Sequence, residues 1–201
     1  MRFDESTFLS ELRQPKPDPG GGSTAAYTGM VALALVEKIC VLEVLRAKKR
    51  RNDHKNLDNL LRQVRLKSDF FKSLVENDVL AYEGLAGAIK AGIRWPENYE
   101  VVIEVVESPH RIILGAIGSL QLISDIGRSC AHWLIPDLLV ALELTCSTAK
   151  AAFHIAMANV DHIEDTRARQ SLMEQLESAF RKAERHCFRL LESLKNSQGP
   201  G

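Results

Sequence analysis

A surplus of either charge is the first thing these 201 residues lack. Lys plus Arg and Asp plus Glu each number 26, so the formal net charge is zero. Without a basic excess there is no long-range field to draw in nucleic acid or an anionic membrane surface, and neither partner is expected. The one basic run, Arg46-Ala47-Lys48-Lys49-Arg50-Arg51, ends a helix and is read as a solvated terminus rather than a binding face. Aromatic residues make up only 6%, and no segment alternates apolar and polar residues as a strand does. The four cysteines, Cys40, Cys130, Cys146 and Cys187, lie too far apart for metal-ligand spacing. Each is read as a small core residue, which points to a reducing, cytoplasmic setting. The six histidines carry no carboxylate-spaced pair, so no metal is expected. No Gly-x-Ser-x-Gly elbow occurs, and the start Met-Arg-Phe-Asp-Glu has no apolar signal region. The longest uncharged apolar runs, 24–36 and 112–124, fall short of the ~20 residues that a membrane span needs.

What is present is one unusual stretch, Pro15-Lys16-Pro17-Asp18-Pro19-Gly20-Gly21-Gly22-Ser23. The prolines hold the approach extended, and the glycines permit backbone shapes and approaches closed to other residues. Gly-Gly-Gly-Ser also fits a flexible linker. Only residues 1–14 precede it, so a structured turn is the expectation. Ser23 stands where an N-cap belongs, opening a helix in which Ala25, Gly29 and Ala32 share one face. That face should let another backbone come close. A glycine turn followed by free helix N–H groups can also hold an anion. No Gly-Lys-Ser/Thr follows and no strand precedes, which excludes a Walker loop and a dinucleotide fingerprint.

The rest divides into long helical patterns. A short helix over 4–13 precedes the turn. Longer ones follow over 23–49, 55–91, 97–127 with Pro109 inside as a kink, 137–160 and 165–195. The expected fold is all-α: an antiparallel bundle of about five long helices plus a short N-terminal helix. It forms a single domain over 1–201, with 196–201 as a disordered tail. The second helix and the stripe of the sixth are expected to carry apolar surface into a homodimer.

Three polar residues interrupt apolar helices. Asp78 lies in Glu76-Asn77-Asp78-Val79-Leu80-Ala81-Tyr82, where solvation is the ordinary fate of a helix carboxylate. Asp137 follows Pro136, where an Asp suits a first helical turn. Asn159 closes an alanine-rich helix, where it suits a C-cap.

Taken together, these elements resemble the cyclodeaminase domain family of formiminotransferase-cyclodeaminase, which includes stand-alone methenyltetrahydrofolate cyclohydrolases. The resemblance spans about Phe8 to Leu194. Its carriers are Pro19 to Ser23 with Ala25-Ala26, the Asp78 segment, Ser108-Pro109, Pro136-Asp137 and Asn159-Val160. The resemblance implies chemistry at the one-carbon bridge between N5 and N10 of tetrahydrofolate, with the folate as substrate and no further cofactor. It implies catalytic roles for Asp78 and Asp137 as a buried carboxylate pair. Gly20, Gly21, Gly22, Ser23 and Asn159 would bind substrate, the glycine-turn N–H groups meeting the ligand or its glutamate tail. The chain departs from the family's pattern at Leu45, Leu80, Cys130-Ala131, Pro136 and His162. Those departures motivate a rival expectation, a dimeric folate-binding or interaction module without turnover.

Overall fold

The computed structural model describes residues 4–94 and 96–196. Of the expected tail 196–201, Asn196 is helical, and 197–201 lie outside the described residues, as do the first three residues and Trp95. Among the described residues every regular element is a helix. In chain order these are α1 (Phe8–Leu12), α2 (Gly21–Lys49), α3 (Lys55–Lys90), α4 (Tyr99–Gly127), α5 (Ile135–Val160) and α6 (Thr166–Asn196). A short 3-10 turn, His132–Leu134, leads into α5. The result is the expected all-α bundle of five long helices and one short one.

Each boundary has a local cause. Asp165 accepts from the N–H groups of Arg167 and Ala168, both at 2.8 Å, and so caps α6. Pro136 sits in the first turn of α5, where no donor is needed. At the end of α3 the chain turns at Gly92 with a φ of +74°.

α5 packs against α2, α4 and α6, and α3 closes the bundle against α2 and α4. The stretch His132–Val160 is long and apolar enough to cross a membrane by length and composition, with a mean hydropathy of 1.3. The expectation concerned uncharged runs, and none of that length occurs within this stretch. Asp137, Glu143 and Lys150 break the uncharged runs without lowering the mean far enough. Part of the apolar stripe of α6 is buried inside the chain, at Leu176, Ala183 and Leu194, while Leu172, Phe180, Leu190 and Leu191 are partly buried.

The small-residue face of α2 serves a ring rather than another backbone. Phe71 of α3 is fully buried, and a Cβ on Gly29 would lie 2.5 Å from its ring. A Cβ on Gly115 of α4 would lie 3.0 Å from the same ring. Two glycines thus make the slot that Phe71 fills, and the slot sets the spacing of α2, α3 and α4.

Two cysteines correct the sequence expectation. Cys146 of α5 and Cys187 of α6 are disulfide-bonded, whereas Cys40 and Cys130 are free. At the far end, Glu43 of α2 is only 2% exposed. It accepts from Arg46 and from the backbone N–H of Ala131, the latter at 2.8 Å. Arg46 also donates to the Ser129 carbonyl at 3.1 Å. This half-buried ion pair ties the loop before α5 to α2.

Gly29→Ala is expected to destabilise the protein by about 1–3 kcal/mol through overpacking against Phe71. A thermal melt showing no loss would mean that the ring has room to retreat.

Candidate active site

The glycine turn folds differently from its expected form. Gly20 is the last non-helical residue, with φ −119° and ψ −153°, and α2 begins at Gly21. Ser23 is therefore the third helical residue and not the N-cap. Its hydroxyl oxygen accepts the Gly20 N–H at 3.0 Å. The Gly20 carbonyl in turn accepts the Thr24 N–H at 3.0 Å and the Thr24 hydroxyl at 2.7 Å. Both sides of the Gly20 peptide are thus fixed, so the turn is ordered. The approach to it includes a cis peptide bond between Asp18 and Pro19.

Asp78 of α3 lies directly on this helix start. A Cβ on Gly22 would come within 2.1 Å of its Oδ1, so only glycine admits the carboxylate there. Asp78 also accepts from the Ser23 backbone N–H and, at a longer 3.5 Å, from the Ser108 hydroxyl. Burial is the largest influence on this group and raises its pKa to about 6. The hydrogen bonds from Ser23 and Ser108 pull the other way, and the negative charge of Asp18 adds to the rise. Ionised Asp78 is held by the positive end of α2 yet remains poorly hydrated.

Around this carboxylate lies a cleft of about 210 Å³. Asp78, Ala81 and Tyr82 line it from one face of α3, at helical steps of three and four. Pro17, Asp18 and the three glycines form its roof, with Val105 of α4 and Ile155 and Asn159 of α5 opposite. Asn159 has a partner that its place near a helix end does not suggest. Pro109 has no N–H to return to the carbonyl of Val105, one turn back. The Asn159 Nδ2 donates to that carbonyl at 2.6 Å. A side chain from α5 thereby replaces the backbone donor that α4 lacks.

The expected pairing of Asp78 with Asp137 is not made within the chain. Asp137 sits in the first turn of α5, 22 positions before Asn159 at the other end, about 33 Å along the helix axis. There it forms a half-exposed ion pair with Lys38 of α2 at 2.9 Å. The carboxylate that does share the cleft with Asp78 is Asp18. Burial raises its pKa, with Glu83 adding to the rise and Lys16 opposing it. Asp18 was visible in the motif, but nothing in the sequence says which way an Asp between two prolines points.

None of the family departures lines the cleft. Leu45 and Leu80 are exposed, and Ala131 belongs to the Glu43 clamp. His162 lines a separate cleft with Arg94, Asp161 and Glu164.

Two variants probe the geometry. Because folding raises the Asp78 pKa, the native state holds a proton more tightly than the unfolded chain. Stability is therefore lost as the pH climbs from about 4 to about 6. Asp78→Asn should then stabilise the protein at pH 7.5 by on the order of 1–3 kcal/mol, with the gain vanishing near pH 4. Denaturant melts at the two pH values check it, and an equal effect at both would remove the burial argument. Gly22→Ala should displace the Asp78 carboxylate and lower its pKa towards the ordinary range, read by carboxyl NMR titration.

Comparison with known proteins bears on the fold and the family. The chain is 23% identical to a methenyltetrahydrofolate cyclohydrolase of Methylorubrum extorquens, over 94% of this chain and 95% of the relative. Its fold matches that of a formiminotetrahydrofolate cyclodeaminase from Thermotoga maritima with a TM-score of 0.86 at 21% identity, covering 97% of both chains. The model of the formiminotransferase-cyclodeaminase family matches residues 5–178, which takes in the glycine turn, Asp78, Pro109 and Asn159, and the chain belongs to that family.

Proposed function

We propose that the chain acts on the N5/N10 one-carbon bridge of a tetrahydrofolate, as a 5,10-methenyltetrahydrofolate cyclohydrolase or a formiminotetrahydrofolate cyclodeaminase. The observation that carries this reading is Asp78: a carboxylate set on a helix start, facing a cleft, with a pKa near 6. Beside the folate, the chemistry calls only for water, and that only in the cyclohydrolase direction.

In the cyclohydrolase direction water attacks the methenyl carbon of the cationic bridge. A C–O bond forms while Asp78 takes a proton from the water. The C–N5 bond then breaks, and the same carboxyl returns its proton to N5. The remaining hydroxyl proton leaves to solvent as the formyl group forms, so one proton is released overall. In the cyclodeaminase direction N10 attacks the formimino carbon as its own proton passes to the imine nitrogen. Protonated Asp78 gives a second proton to that nitrogen as its bond to carbon breaks, so ammonia leaves and the methenyl cation remains. A carboxyl that titrates near 6 suits either role, because both protonation states are populated close to neutrality.

The departures at Leu45, Leu80, Cys130-Ala131, Pro136 and His162 lie away from this cleft, which supports a retained activity over a silent binding module.

The two activities predict opposite pH limbs for one residue. As a base, Asp78 gives a cyclohydrolase rate that climbs with pH through about 6 and then levels. As an acid, it gives a cyclodeaminase rate that falls above the same value. Purified protein mixed with 5,10-methenyltetrahydrofolate, and separately with 5-formiminotetrahydrofolate, can be followed by near-ultraviolet absorbance. Asp78→Asn is expected to lose roughly 100-fold or more in kcat, the usual weight of a general acid or base. A fully active Asp78→Asn variant would sink the assignment. Folate binding without turnover would instead establish a silent module.

A further inference from the structure

Asp18 has no part in the chemistry above, yet it lines the same cleft as Asp78. It makes no hydrogen bond or ion pair with any described residue. The groups around it are lopsided in charge. From α3 it meets Asp78 and Glu83, both acidic, with Tyr82 beside them in the lining. From its own turn it meets Lys16, which is also 4.0 Å from Glu11. Val105 and Ser108 on α4 and Ile155 and Asn159 on α5 bring no charge. Among the described residues no Lys, Arg or His lines the cleft. The positive end of α2 is already engaged, since Asp78 accepts the Ser23 N–H. What remains is a small, partly desolvated space with two carboxylates and no basic side chain in its lining. Charges in such a place interact more strongly than in water. An anionic glutamate tail is repelled there and must lie outside.

We propose that Asp18 is a specificity residue: together with Asp78 it makes the cleft select a cationic one-carbon bridge and reject the neutral formyl form. This rests on the folate reading above. It has a directional result, because a cyclohydrolase converts a cation into a neutral product. The charge pair that gathers the substrate loses its hold on the product once the ring has opened. It also explains a carboxylate left unpaired beside another, an arrangement that favours neither the fold nor the binding of a neutral ligand.

The test uses Asp18→Asn beside the wild type and Asp78→Asn. Steady-state turnover of 5,10-methenyltetrahydrofolate is measured together with equilibrium binding of 5-formyltetrahydrofolate, an isomer of the N10-formyl product whose one-carbon group is neutral and unbridged. Asp18→Asn should raise KM for the cation about tenfold, equivalent to about 1.4 kcal/mol, with kcat within about threefold. Affinity for the formyl compound should hold or improve. A purely structural role for Asp18 would not separate the two ligands in this way. Carboxyl NMR should show the Asp78 pKa falling in Asp18→Asn, because a neighbouring negative charge is gone. An unchanged KM in Asp18→Asn, with Asp78→Asn inactive, overturns this inference and leaves the folate reading standing. If the wild type turns over neither folate, the parent reading fails. Direct binding then decides the present one: equal affinity for the cation and the formyl compound refutes it, and preference for the cation that Asp18→Asn abolishes upholds it.

Discussion

The site depends on one contact, the Asp78 carboxylate against the bare Cα of Gly22. It lets an acid on α3 reach the first turn of α2, where a backbone N–H is free to receive it. Everything nearby serves that approach. Ser23 turns back to hold the Gly20 peptide, and so keeps the helix start from fraying. A side chain on Gly22 would occupy the carboxylate's place. The acid gains a donor and a dipole but loses water, and the loss of water dominates its titration. The same contact that places the group therefore also tunes it.

A second constraint sets the distances over which this first one can work. Phe71 fills a slot made by Gly29 and Gly115, and holds three helices at a fixed separation. Asp78 lies seven residues further along α3, on the same face two turns away. Packing precision at the buried ring thus becomes positional precision at the carboxylate. Interiors packed to this density transmit small shifts rather than absorb them.

Much of this was legible in the chain. Helical periodicity and end signals placed every long helix to within about two residues, because each carries an apolar stripe and a recognisable stop. The glycine turn and the Asp78 segment stood out as breaks in those patterns, and the resemblance linked them to one family. What stayed hidden depends on which side chains meet in three dimensions. The Cys146–Cys187 bond joins residues 41 apart, and only the abutment of α5 and α6 brings them together. Asp137 looked equivalent to Asp78 because both are acids in apolar surroundings, yet it occupies the opposite end of α5 and meets Lys38. Ser23 looked like a cap because sequence position cannot show that the glycines already belong to the helix. Asp18 sat inside the motif without a periodic pattern to orient it.

The bond from Asn159 to the carbonyl of Val105 has a consequence for how the bundle is indexed. Helices packed by apolar ridges can settle one turn higher or lower at modest cost, since one Ala or Leu resembles the next. A carbonyl stripped of its own donor by Pro109 occurs at one height on α4, and Asn159 offers its amide at one height on α5. The two therefore act as a key and a notch. They fix the axial setting of the helices that supply the far wall of the cleft, and they make a proline and an asparagine, distant in sequence, a single thermodynamic unit.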